Sequence, residues 1–429
     1  MNLDDPLYST WMSRRLPAYR PAGQSRLLLA GEPLVFHCNH YNYWLQHTLR
    51  LDPELEMDSV IRDTAESCAR SVLAAGRDEL GIARPAELLA LARDLFAELG
   101  FGRIDFAQVG PRGGRVRTPT SHYGQMLATV TPGRIERAQN LFDQGFAAGA
   151  VGLAYESPPG ALAIANNRCM SLGAAIGEFD LVACSPRPIP ESPGDQFVAE
   201  STLRGREFVA PPASDETRVD EAGILATLAG LDFSGNEEGL IPRFGVILTR
   251  HFANFYNRIS HEYIQRMDAT GLLDAAEQLL VNAGERCSFN TFGGIMASAE
   301  WDALVRPQCQ TRADWVHGMV AVVNMLGWGT WRVAALDERR VVIRIWDDYE
   351  SLGWLALGGP VLAPPAYLAT GGVAGMMGLI YYGNIADRPA RDDALYNRAC
   401  RGPLRYVGRQ TRSRALGDPF TEIVAEATR

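Results

Sequence analysis

Lysine is missing from this chain: all 41 basic side chains among 429 residues are arginine. Its absence excludes Schiff-base catalysis and the lysine of a phosphate-cradling loop. Neither Gly-x4-Gly-Lys nor Gly-x-Gly-x2-Gly occurs. Cysteine is sparse. The seven stand at positions 38, 68, 169, 184, 287, 309 and 400, never as Cys-x2-Cys, which excludes a zinc ribbon and a thioredoxin-like motif. An odd, dispersed set suits a reducing compartment. Met1-Asn2-Leu3-Asp4-Asp5-Pro6 lacks the basic start and apolar run of a signal peptide, so a cytoplasmic location is expected. Positive charge is also short: the net charge is −9 and no basic run occurs, so no nucleic-acid partner is expected. The most apolar Gly-rich stretch, Tyr367 to Tyr382, is shorter than the ~20 residues of a membrane span and reads as a buried helix, so no membrane partner is expected either. Gly-x-Ser-x-Gly and His-Glu-x2-His are absent, which leaves a serine hydrolase or a zincin without support.

What the chain does have, it has twice. Leu99-Gly100-Phe101-Gly102-Arg103 returns as Leu326-Gly327-Trp328-Gly329-Thr330. Each is followed by strand patterns, a Gly-rich helical pattern and an ending Arg-x-x-x-Leu-Gly, at Arg168 to Gly173 and at Arg412 to Gly417. Gly145, Gly149, Gly152 and Tyr155 match Gly371, Gly375, Gly378 and Tyr381; Arg168 and Glu178 match Arg412 and Glu422. Further back, the reading pairs His40 with His251, and Asp63 and Glu66 with Asp274 and Glu277. Offsets that hold within blocks and jump between them mark a tandem duplication. The expected organisation is an N-terminal arm (1–29), a first copy (30–184), a Pro-rich linker (185–220) and a second copy (221–429). Within the first copy the apolar periodicity predicts a helix from Cys38 to Leu49, an amphipathic helix from Asp58 to Ala75 and a third from Ala86 to Leu99. Two strands separated by a Pro-Arg-Gly-Gly turn, a long helix from Arg134 to Tyr155, and closing strands follow. The two Gly-rich helices are expected at the centre, because glycine permits close approach.

This order, with Tyr349-Glu350-Ser351, Pro365, Gly371 to Gly378 and Ala415-Leu416-Gly417-Asp418-Pro419 in the second copy, resembles the vinyl-reductase-like (hydrocarbon-binding) domain family, which includes the ligand-sensing modules of phenol-type regulators. The resemblance implies an α/β fold of the α+β type: two tandem copies of an antiparallel sheet with helices packed on it, each with an apolar pocket. It also implies, in many relatives, a zinc site. Here the zinc slots fall on Asn166, Cys169 and Gly177 in the first copy and on Ala366, Gln410, Ser413 and Thr421 in the second. One thiol does not meet zinc's need for three or four ligands, so no metal or cofactor is expected. Neither copy carries an ATPase module or a helix-turn-helix.

The candidate site residues gather in the first copy. His40, Tyr43, Trp44 and His47 share a helical face by their spacing, and His37 stands just before them. Such a face could line a pocket, hold a phenol or carboxylate, or bind a metal at His37 and His40; packing with satisfied histidines is the plain alternative. Glu66 is the carboxylate that could pair with His40 as a general base, or belong to a solvated face. Arg168 could clamp a carboxylate, or bridge to Glu178. His122 and Tyr123 at a strand end, Cys169, and Trp346, expected on one strand face with Asp348 and Glu350, complete the set. The first copy has His at 37, 40, 47 and 122, and by this pairing the second drops most of those positions, which points to one working and one scaffolding copy. Two functions follow: binding of a small apolar or aromatic molecule, or acid–base or metal catalysis on the His37–His47 stretch. A homodimer is left open.

Overall fold

A computed structural model describes residues 27–131, 133–194, 210–213, 217–358 and 361–428. Nearly all of the expected arm, and the middle of the expected linker, lie outside the described residues. The first half runs β1 (Leu27–Leu29), β2 (Glu32–Cys38), α1 (Asn39–Leu49), α2 (Met57–Leu80), α3 (Pro85–Glu98), β3 (Gly102–Gly110), β4 (Gly113–Ser121), α4 (Leu141–Ala154), β5 (Leu162–Arg168) and β6 (Gly177–Ala183). The second runs α5 (Glu221–Ala229), β7 (Ile241–Arg243), β8 (Val246–Phe252), α6 (Ala253–Ala269), α7 (Leu273–Met296), α8 (Ala299–Leu304), α9 (Arg312–Val323), β9 (Thr330–Leu336) and β10 (Arg340–Trp346). It ends with α10 (Tyr349–Leu357), α11 (Tyr367–Met377), α12 (Asp393–Tyr396), β11 (Tyr406–Arg412) and β12 (Thr421–Ala427). No helix among the described residues is long and apolar enough to cross a membrane.

The fold is α+β with antiparallel sheets, as expected, but there are three sheets rather than one per copy. Two have matching strand orders, β3-β4-β6-β5 and β9-β10-β12-β11. The third, β1-β2-β8-β7, takes a hairpin from each half. Its centre is the antiparallel pair β2–β8, in which Leu34 faces Phe252 and Cys38 faces Leu248. β2 is buried along its whole length, with Leu34, Val35, Phe36 and Cys38 all in the core; an apolar run of this kind demands cover on both faces.

The twice-stated Leu-Gly-x-Gly turn is what crosses between the halves. Gly100 ends α3 with φ +85° and Gly327 follows α9 with φ +80°, a left-handed conformation that glycine adopts freely. A Cβ on Gly100 would lie 2.9 Å from the carbonyl oxygen of Leu248, and one on Gly327 would lie 2.8 Å from that of Leu34. Beside them, the Arg250 N–H donates to the Leu99 carbonyl (2.9 Å) and the Phe36 N–H to the Leu326 carbonyl (2.8 Å). Each half's turn thus seats on the other half's strand.

These paired contacts set the internal register, and it differs from the one read off the sequence. Leu34 answers to Leu248 and Phe36 to Arg250, so His37 answers to His251 and His47 to His261; His40 answers to Asn254. Gly145 sits over Arg62 and Ala65 as Gly371 sits over Val281 and Gly284, so Glu66 answers to Glu285, not to Glu277.

Gly145 and Gly371 make α4 and α11 the innermost helices. A Cβ on either would fall 2.1 Å from a backbone oxygen, of Arg62 and Val281 respectively. The helices therefore pack on α2 and α7 at backbone distance. Two local expectations fail. α4 begins at Leu141 rather than Arg134, because the preceding segment is tied sideways: Arg137 donates to the Arg50 carbonyl (2.8 Å) and the Gln139 carbonyl accepts from Gln46 (3.0 Å). Strand alternation stops at Trp346, because Asp347 turns at φ +53° and Asp348 caps α10. Trp346 therefore does not share a strand face with Asp348 and Glu350; it packs on Phe420, ring centroids 5.0 Å apart.

Candidate functional site

The predicted histidines divide between two places. His37 is the penultimate residue of β2, not part of the helix. Its Nε2 lies 3.2 Å from the Tyr349 hydroxyl, and its ring packs 5.2 Å from Trp328. The same arrangement recurs across the pseudo-twofold: His251 Nε2 lies 2.9 Å from the Tyr123 hydroxyl and its ring packs 4.9 Å from Phe101. Between them, Asn42 contacts His122 Nε2 (2.9 Å) through its amide nitrogen, and its amide oxygen accepts from the Tyr256 hydroxyl (2.6 Å). His37, His122, Tyr123, His251, Tyr256 and Tyr349 are all buried. Burial pulls His37 and His251 well below the ordinary histidine range, and pulls His122 down to about 3. The imidazoles are neutral, and the phenols are driven up by the same burial. This is a buried hydrogen-bonded core at the seam between the halves, with Nδ1 of His37 and of His122 left without a hydrogen-bond partner among the described residues.

The other α1 residues point elsewhere. His40 is pushed down to about 4, by burial and then by Arg391. Tyr43 is buried, Trp44 half-buried and His47 exposed. Their rings lie within 6 Å of one another, and the Arg286 guanidinium sits 4.9 Å from the Trp44 ring. His40 and Glu66 are not brought together: Glu66 accepts from Arg70 (3.0 Å) and from the Gly160 N–H (3.0 Å). Arg168 is exposed, and Glu178 is instead held by Arg117 (3.0 Å) and Arg115 (3.6 Å). In the second copy Arg412 does approach Glu422, at 3.9 Å, behind Arg344 at 2.8 Å. Cys169 is buried against the Ser171 hydroxyl (3.1 Å). Among the described residues no group of three or more His, Cys, Asp or Glu side chains is placed to hold a metal ion.

Glu66 leads to a cavity of about 810 Å³, which lies in the first half. Its walls follow from helical periodicity. Asp58, Ser59, Arg62, Asp63 and Glu66 form the polar wall, one face of α2. Leu141, Gln144, Gly145 and Ala148 come from α4, which packs beside α2, and Leu162, Ala163 and Ile164 from β5; these supply most of the apolar lining. Arg50, Arg137 and Arg187 stand at the rim. Most of these charges are spoken for. Arg50 grips Asp58 through two bonds (2.7 and 3.1 Å), Arg137 adds a third (3.1 Å), and Arg187 pairs with Asp63. Burial raises Glu66, against the Gly160 N–H and Arg70.

The second half has no counterpart of this space among its described residues. There α11 meets β11 directly: a Cβ on Gly408 would lie 2.5 Å from the Thr370 carbonyl oxygen, whereas Ile164 stands at the equivalent position of the first half. Glu285, the counterpart of Glu66, is covered by Tyr396, whose hydroxyl donates to it (3.0 Å), and by Arg401 (3.1 Å). Both come from the longer connection between α11 and β11, which the first half crosses in the short stretch between Ala154 and Leu162. The sequence reading placed the ligand on α1 and missed this cavity except for Glu66. Two repeated spacings would have located the register: His-x9-His at 37/47 and 251/261, and Glu-x-Cys at 66/68 and 285/287. No protein-family model and no curated protein matches the chain.

Proposed function

We propose that the protein binds a small organic molecule in the cavity of its first half, and that the second half is the scaffold that completes the fold. The carrying observation is the asymmetry itself: two halves of one topology, with about 810 Å³ open between α2, α4 and β5 in one and the equivalent space occupied by Gly408, Tyr396 and Arg401 in the other. The volume falls in the range of small-molecule sites, roughly 300–1,000 Å³, and such sites combine an apolar wall with a few placed polar groups. The likeness of the repeated motifs to vinyl-reductase-like domains supports the same reading. The buried histidine cluster does not favour catalysis on α1, since its imidazoles are neutral and packed on all sides by aromatic rings.

The test is a fluorescence titration of the full chain with N-phenyl-1-naphthylamine, a neutral aromatic probe that brightens in apolar surroundings. One probe should bind per chain, and Ala148→Trp, which fills the cavity from α4, should abolish binding without lowering the melting temperature. Absence of binding, or binding untouched by Ala148→Trp, overturns the reading.

A further inference from the structure

The cavity carries more charge information than its shape. Four arginines line it, at 50, 62, 137 and 187, against three acids, at 58, 63 and 66. Arg50 and Arg137 are both committed to Asp58, Arg187 to Asp63, and Glu66 is neutralised from behind by Arg70. That leaves Arg62. It is partly buried on the polar wall among Asp58, Asp63, Arg187 and Arg50, and burial holds its guanidinium below the usual arginine range. Among the described residues it makes no hydrogen bond and no ion pair. A guanidinium left without a partner in a partly desolvated wall is costly, and an anion placed against it recovers that cost through charge-assisted, two-pronged hydrogen bonds. The second half lacks the feature, because the residue answering to Arg62 is Val281.

Resting on the binding reading above, we infer that the ligand is an organic anion with an apolar body, most simply a carboxylic acid, whose carboxylate is anchored by Arg62 while its hydrocarbon part lies along Leu141, Ala148, Leu162 and Ile164. The lining carries four arginines against three acids, and Arg70 stands behind Glu66, so the site is net positive and favours an anion. Of these cations Arg62 alone has no carboxylate partner among the described residues. The charged groups lie mainly on α2 and the apolar ones on α4 and β5, so head and tail contact different elements of one space. Arg62 lies on the second turn of a 24-residue helix, so its backbone is fixed and only the side chain has to orient.

Titration calorimetry of the full chain with octanoate and with 1-octanol decides this. Octanoate should bind at least tenfold tighter than the alcohol. Arg62→Gln should erase the difference without lowering the melting temperature, and Arg62→Lys should keep part of it. Equal affinities of acid and alcohol, both abolished by Ala148→Trp, overturn the anchor and leave the cavity reading standing. An octanoate preference that survives Arg62→Gln also overturns it. If neither compound binds, both the anchor and the cavity reading fall.

Discussion

The hydroxyl of Tyr123 and Nε2 of His251 lie 2.9 Å apart, although one belongs to the first half and the other to the second. Their counterparts, Tyr349 and His37, repeat the bond in the opposite sense at 3.2 Å. Each half therefore completes the buried hydrogen bonding of the other. Tyr123→Phe leaves Nε2 of a buried imidazole without its phenol and should cost about 1–3 kcal/mol. Tyr349→Phe should cost a similar amount, whereas an exposed change such as His47→Ala should cost far less. Urea denaturation of the three variants checks this. A Tyr123→Phe variant as stable as the parent would show that the contact contributes nothing.

The buried imidazoles should weaken the fold from about pH 6.5 downward. An unfolded histidine takes up a proton near 6.5, but burial holds His40 at about 4 and His122 at about 3, with His37 and His251 also well below their ordinary range. Between those limits the unfolded chain binds protons that the native chain refuses, so stability falls by up to about 1.4 kcal/mol per pH unit for each imidazole. Asp143 acts the other way. Burial lifts its carboxyl to about 7, so the native state holds a proton that the unfolded state has lost, and stability rises as pH falls from 7 towards 4. Glu350, Asp348, Glu66 and Glu285 are raised by burial as well and add to the opposing slope of Asp143, so the imidazole contribution is read by difference. Denaturation midpoints measured from pH 7.5 to 5 should fall more steeply in the parent than in His122→Asn; parallel profiles would refute the assignment.

Gly145→Ala and Gly371→Ala should each destabilise by about 1–3 kcal/mol or more, as overpacking does, because the new methyl meets helix backbone at 2.1 Å and no side chain can move aside. Gly81→Ala serves as a control with open space around it, though with φ +65° it carries its own backbone strain. Thermal melts compare the three. Both Gly145→Ala and Gly371→Ala should fall below the control.

In the second half, Tyr396 takes up the room that stays open in the first. Tyr396→Phe removes one bond to Glu285, which keeps Arg401, and should cost about 1 kcal/mol. Tyr396→Ala empties a buried aromatic site and should cost about 3–5 kcal/mol. Equal losses for the two would mean that the ring's volume is not what matters there.

Much of this fold was legible as periodicity. The α2 stripe of Ile61, Ala65, Cys68 and Val72 is buried as the spacing required, and the glycines that recur 226 residues apart mark the two innermost helices. The site was less legible, for three physical reasons. The β2–β8 pairing joins residues more than 200 positions apart, and nothing local in Leu34 to Cys38 announces its partner. His40 and His251 looked equivalent only because an offset of 211 serves them. Backbone contacts at Gly100 and Gly327 require 214, which moves the repeated imidazole from α1 to the end of β2. The cavity comes from a difference in shape, a short connection where the other half has a long one, and alignment of like residues does not reveal an empty space.

The shared sheet also governs how the chain reaches its native state. β2 is flanked only by three-residue β1 and by β8, so the central strands of this sheet can pair only after a loop of some two hundred residues has closed. Contacts of such sequence separation form late and slow folding. A fragment ending before residue 221 would present the edge of β2, with Leu34, Val35 and Phe36, as an open template for another chain. The most natural partner for that edge is the same strand of a second fragment, since β8 is already its structural twin. Severed halves should therefore be found as exchanged dimers or aggregates rather than as two small independent proteins.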